Sequence, residues 1–145
     1  MKIDARALIV EEGEKLHLDE RPTVVAPLYE SKAAYEKTLA EHSEHIARMH
    51  ERLFAAARNG VLVVFQGMDT SGKDGAIKHV MSAVNPQCRR VASFKQPTPL
   101  EKSHDFLWRV QPDLPERGAI SVFNRSHFEA VLIERVHPHL LAAEG

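Results

Sequence analysis

Residues 61–86, VLVVFQGMDTSGKDGAIKHVMSAVNP, hold the transition on which the fold turns. Val61 to Phe65 is an unbroken β-branched and aromatic run, the kind found in strands covered on both faces of a parallel sheet. Gln66 to Gly72 is a glycine-bearing turn. From Lys73 to about Val84 the apolar Ile77, Val80 and Met81 recur at helical spacing, and Asn85-Pro86 stops the helix. A buried strand that enters a helix through such a turn is the context in which G-x-x-x-x-G-K reads as a phosphate-binding loop rather than a merely glycine-rich turn. Gly67, Met68, Thr70, Ser71, Gly72 and Gly75 would turn backbone N–H groups around an anion, with the positive end of the helix aimed at the same place. Lys73 supplies a movable cation.

Asp74 stands where such loops usually carry serine or threonine, whose hydroxyl ligates the magnesium held between phosphate oxygens. A carboxylate there repels phosphate unless a cation intervenes or it turns away to cap the helix, where the dipole favours it. Asp69 sits on the loop itself. It is a candidate to hold magnesium or orient an attacking phosphate oxygen, the alternative being an aspartate bonded to its own turn.

Upstream, Tyr35, Leu39, Ile46, Met49, Leu53 and Phe54 recur at helical intervals from Ser31 to about Asn59. Asn59-Gly60 suits the end of this long amphipathic helix, because both residues tolerate the left-handed conformation. Residues 1–30 have scattered charges, Pro22, Pro27 and no sustained period, and read as an extended arm. Downstream, Cys88 to Phe94 is a second strand. Thr98-Pro99-Leu100-Glu101 is a capped helix start, with that helix expected to run to about Val110. Ala119 to Phe123 is a third buried strand, followed by a helix over Phe128 to Val136. Strand and helix alternate three times, the order of a doubly wound α/β sheet whose ligands sit beyond the carboxyl ends of the strands.

The third strand ends at Asn124-Arg125, where a Walker B aspartate would be expected. Asn124 should bind metal more weakly than aspartate. Arg125 offers a planar fork for phosphate oxygens, or ties the strand end to a carboxylate. Lys78, Arg89, Arg90 and Lys95 are candidates for a positive track leading away from the loop, Lys95 foremost because it follows a strand.

Composition narrows the class without naming an activity. A net charge of −1 is spread evenly, so any polyanion site must come from local clustering. One cysteine, Cys88, excludes an internal disulfide and a multi-cysteine zinc site, and favours a reducing compartment. The amino terminus lacks the apolar core of a secretory signal, and no stretch approaches the ~20 apolar residues of a membrane span. A cytoplasmic protein, bound neither to membrane nor to nucleic acid, is expected.

Taken in order, residues 61–86, SFKQPTP (93–99), HDFLWRVQPDLPERG (104–118) and FNRSHFEAVLIERVHP (123–138) resemble the family-2 polyphosphate kinases over about residues 31–139. Asp74 and Asn124, departures from an ordinary Walker pattern, agree with that family. The resemblance implies an α/β fold with a P-loop kinase-like parallel sheet flanked by helices, preceded by the long helix over 31–59. The domain would cover 31–145, after the arm at 1–30. It implies Mg2+-dependent phosphoryl transfer between inorganic polyphosphate and a nucleoside mono- or diphosphate, with AMP, ADP or ATP as nucleotide partner.

By position, the resemblance makes Asp69 and Lys73 the central catalytic pair, with Asp69 the metal ligand. Asn124 and Arg125 take the Walker B-like role, with Arg125 catalytic, and Lys78 and Lys95 lie near phosphate. Glu129 would help place metal or nucleotide. Members of the family normally continue well past this length into an arginine-bearing lid, so the chain is expected to be a truncated, amino-terminal portion with exposed sheet edges that favour a homo-oligomer. Two other readings remain: a non-catalytic phosphate- or nucleotide-binding module, and an ATP-dependent small-molecule kinase.

Overall fold

The computed structural model describes residues 9–17, 19–20, 27 and 29–137. Much of the arm expected over residues 1–30, Pro22 included, lies outside the described residues. Two compact units divide at His42/Ser43.

In the first unit, the hydroxyl of Ser31 accepts from the Ala34 amide at 3.1 Å and caps the start of α1, Lys32–Ala56. The Tyr29 and Tyr35 rings lie 5.1 Å apart.

In the second unit, α1 ends three residues before the expected Asn59. Ala57 takes the left-handed conformation, with φ of 46°, and its amide makes a last helical bond to Leu53 O at 3.1 Å. Gly60 has a different job from the one its sequence suggests. A Cβ there would stand 2.7 Å from Glu116 O and 2.9 Å from Pro115 O, so this position needs glycine for close backbone approach.

Three strands follow: β1, Val61–Phe65; β2, Arg89–Ser93; and β3, Ile120–Asn124. They form one parallel sheet in the order β1-β3-β2, with β3 central. Register aligns Phe65, Ser93 and Asn124 at the carboxyl ends. Among the described strands, the central one alone is buried on both faces. Val122 packs with Ile77, Met81 and Val84, joined by Ile46, Val63 and Phe65. On the opposite face Phe123 packs with Phe94 and Val110, its ring 4.7 Å from that of Phe94 in an edge-on arrangement. VLVVF does not behave as expected: as an edge strand among the described residues, it leaves Val61, Leu62 and Val64 exposed.

Helix α2, Lys73–Met81, is shorter than expected, though Val84 beyond its end is buried. Helix α3 is a single turn, Pro99–Lys102, and not the long helix anticipated to Val110. Short polar side chains compete with the helical ladder there. Ser103 Oγ donates to Leu100 O at 2.8 Å, and Asp105 Oδ1 accepts from the Leu107 amide at 2.9 Å, starting a run of separate turns. Helix α4 spans Phe128–Val136 as the sequence indicates.

The anticipated capping box is present: Thr98 Oγ1 accepts from the Glu101 amide at 3.2 Å, and Glu101 Oε2 accepts from the Thr98 amide at 2.6 Å. Arg109 lies against Glu101 at 3.1 Å, close but not aligned as a hydrogen bond. Its Nη2 donates to Lys95 O at 2.8 Å, and its guanidinium sits 5.4 Å from the centre of the Phe94 ring. This latch fixes the loop after β2.

Donation from Thr98, backbone first, and the nearby Arg109 charge hold the Glu101 carboxyl below its ordinary value against the opposing effect of burial. A lowered folded value means stabilisation that is complete above the unfolded pKa of about 4.3 and lost as pH falls through the folded value. Glu101→Gln is therefore expected to lower stability by roughly 1 kcal/mol at pH 7, with the gap to the parent chain closing in urea titrations below pH ~4. A gap independent of pH would remove the carboxylate as its source.

Candidate functional site

Parallel pairing brings the end of β1 beside the end of β3, so the loop after Phe65 and the segment after Asn124 meet. The Arg125 amide continues the pairing by donating to Phe65 O at 2.9 Å. A cavity of about 250 Å3 opens here, lined by Asp69 to Gly75, Asn124 and Arg125.

The loop is built as its glycines require. Gly72, with φ of 88°, precedes α2 and offers no capping side chain, leaving the first amides of that helix without such a partner. Thr70 also takes a left-handed backbone, φ 62°. Lys73 Nζ donates to Gly67 O at 2.8 Å and Met68 O at 2.7 Å, so its ammonium folds back over the loop. These are neutral acceptors, which an anionic phosphate oxygen outcompetes.

Asp74 does not cap α2. Its Oδ1 accepts from Asn124 Nδ2 at 2.6 Å. This pairing accounts for both departures from the standard pattern: an aspartate at position 124 would set two carboxylates against each other, whereas the amide supplies the donor that Asp74 needs.

Arg125 adopts a left-handed backbone, φ 65°, uncommon for a side chain of its size. The turn carries its guanidinium back over the loop, where Nη2 bonds Asp69 Oδ1 and Nη1 bonds Glu129 Oε1 at 2.6 Å. Both possibilities raised for Arg125 thus bear on one position: it lines the cavity beside the loop while paired with carboxylates.

The remaining candidates divide. Glu129 joins the cluster through Arg125. Gly67 is bound by Lys73, and Met68 is almost fully exposed at 84%. Lys78 and Lys95 are exposed and do not line the cavity; what fixes Lys95 is its carbonyl, bound by Arg109. The proposed basic track is not formed by Arg89 and Arg90. They lie at the amino end of β2, opposite the loop, where Arg89 bonds Met81 O and Arg90 pairs with Asp113 at 2.5 Å.

Sequence reasoning missed Gln66 and Ser126. Gln66 Nε2 donates to Glu129 Oε2, and the buried Ser126 hydroxyl accepts from the Phe128 amide at 3.2 Å. Ser126-x-x-Glu129 has the spacing of a capping box, a signal that was available.

Magnesium is usually held by one or two carboxylates together with phosphate oxygens and water. Asp69, 82% exposed in its side chain, has the oxygen chemistry and the access for that role.

The family model described as Polyphosphate kinase 2 (PPK2) matches residues 29–143. The chain is 51% identical over all of its 145 residues to an ADP-polyphosphate phosphotransferase of Rhodopseudomonas palustris, covering 50% of that protein. It is 46% identical over 105 residues to an AMP/ADP-polyphosphate phosphotransferase of Meiothermus ruber, covering 72% of this chain and 39% of the other. The crystal structure of Polyphosphate Kinase 2 from Arthrobacter aurescens TC1 superposes with a TM-score of 0.81 at 40% identity, over 92% of this chain and 48% of that one. The chain thus spans about half the length, or less, of these relatives.

The left-handed backbone at Arg125 has a measurable consequence. Arg125→Gly and Arg125→Ala both delete the guanidinium, but only alanine keeps a Cβ at positive φ. The glycine variant is expected to be more stable in urea unfolding by roughly 1 kcal/mol. Equal stability would show that this backbone conformation is not kept.

Proposed function

The chain belongs to the polyphosphate kinase 2 family, and from that premise we propose that its loop binds phosphates during Mg2+-dependent phosphoryl transfer between inorganic polyphosphate and a nucleoside mono- or diphosphate. The observation that carries this reading is the cavity over Asp69–Gly75, where an uncapped helix start, Lys73, Asp69 and Arg125 converge. The names of the relatives, which give ADP in one case and AMP or ADP in the other, supply the acceptor class.

Phosphoryl transfer asks little covalent chemistry of a protein; it needs alignment and neutralisation of charge on the phosphate oxygens. The first amides of α2 receive one phosphate oxygen. Lys73 exchanges the Gly67 and Met68 carbonyls for a second, and Arg125 exchanges Asp69 for a third. Asp69, released, is then available to magnesium, which when bound neutralises phosphate charge. Asn124 and Asp74 hold each other and fix the wall of the cavity. Lys78 and Lys95, outside that wall, serve a longer polyphosphate chain running beyond it. The reading includes a cytoplasmic protein that self-associates, the self-association being supported by the edge position of β1 among the described residues.

Incubation with long-chain polyphosphate, magnesium and ADP or AMP should yield ATP or ADP. Polyphosphate binding without product would instead identify a binding module, and transfer from ATP that ignores polyphosphate would identify a small-molecule kinase. Lys73→Ala is expected to weaken polyphosphate binding by roughly tenfold or more, with stability changed by about 0.5 kcal/mol or less. Unchanged binding would sink the site. Asp69→Asn is expected to cut turnover by roughly 100-fold with a smaller loss of affinity; undiminished turnover would leave Asp69 a turn residue.

A further inference from the structure

Gln66 links the last residue of β1 to the phosphate-binding loop, yet it does not line the cavity. Its amide has two neighbours of opposite character. Nε2 donates to Glu129 Oε2, and the Ser126 hydroxyl approaches Oε1 at 3.5 Å. The Ser126 oxygen also accepts from the Phe128 amide, so its proton is free to point at Gln66. The opposite orientation of the amide would set a carbonyl oxygen against the Glu129 carboxylate. Chemistry on both sides therefore selects the same orientation.

Glu129 divides its oxygens, one to Gln66 and the other to Arg125. Arg125 divides its guanidinium in turn, Nη1 to Glu129 and Nη2 to Asp69. The two ends of this clamp differ in exposure. The Asp69 side chain is 82% exposed, that of Glu129 30%. An exposed ion pair contributes little and exchanges readily, whereas the Glu129 end is shielded and braced by a second hydrogen bond.

We propose that Gln66 is a positioning residue for Arg125: acting through Glu129, it keeps the guanidinium turned toward the loop once Asp69 has let go. The inference rests on the reading that the loop binds phosphate. The Lys73 ammonium bonds the Gly67 and Met68 carbonyls and none of the side chains in this path. The side-chain bonds of Gln66 therefore lead to Arg125 and not to Lys73.

A double-mutant cycle on polyphosphate affinity tests this. Gln66→Met keeps the length of the side chain and removes the donor. It is expected to weaken polyphosphate binding by roughly three- to tenfold in the parent chain and to have no further effect in Arg125→Ala. Equal losses in both backgrounds, or none in the parent, would overturn the proposal. A second readout needs no ligand: in 15N-labelled protein, a guanidinium gripped by Glu129 rotates slowly and shows separate Nη–H signals for Arg125. Gln66→Met should average those signals, and unchanged signals would also overturn the assignment. If the parent chain binds no polyphosphate, the functional reading falls, and the Arg125 signals alone decide the role of Gln66.

Discussion

The parallel pairing of β1 with β3, in the register that sets Phe65 beside Asn124, is the constraint from which the candidate site follows. The two residues are far apart in sequence, and neither the loop over Gly67–Gly75 nor the Asn124-Arg125 turn makes a site alone. Once the strands pair, the Arg125 amide is drawn onto Phe65 O, and the left-handed turn this imposes carries the guanidinium over the loop. The register is well determined because β3 is buried on both faces. A slip of one residue would exchange Val122 and Phe123 between the two cores, crowding one and leaving a void in the other.

The charges of the site satisfy one another. Lys73 bonds two carbonyls, Asp74 bonds Asn124, and Arg125 lies between Asp69 and Glu129. The weaker of these contacts are the exposed Asp69–Arg125 pair and the Lys73 bonds to neutral carbonyls. The buried support comes from Ser126 and the central strand. The frame of the site is thus set by burial, and its exchangeable contacts lie at the solvent edge.

The loop, its strand and its helix were legible in residues 61–86 because each rests on local rules: β-branched runs, glycine turns and helical spacing. The capping box at Thr98 and Glu101 and the helix over Phe128–Val136 were legible for the same reason. Expectations failed where tertiary context or side-chain competition prevailed. VLVVF is apolar throughout yet lies at a sheet edge among the described residues. The helix begun at Pro99 stops because Ser103 and Asp105 bond the backbone, and Ala57, not Asn59-Gly60, takes the left-handed turn. Arg89 and Arg90 were candidates for a basic track leading from the loop, but strand direction puts them at the opposite end of the sheet.

By itself, the sequence determined that a loop of G-x-x-x-x-G-K pattern follows a strand and opens a helix, since hydrophobic period and glycine placement act over a few residues. It also supplied the family resemblance over about residues 31–139, through segments specific enough to be read in order. Only the tertiary structure decided which charges meet. The pairing of Asp74 with Asn124, the division of Arg125 between Asp69 and Glu129, and the place of Gln66 behind them all depend on strand register. Register is fixed by burial of Val122 and Phe123 on opposite faces, a long-range packing condition that no local spacing encodes.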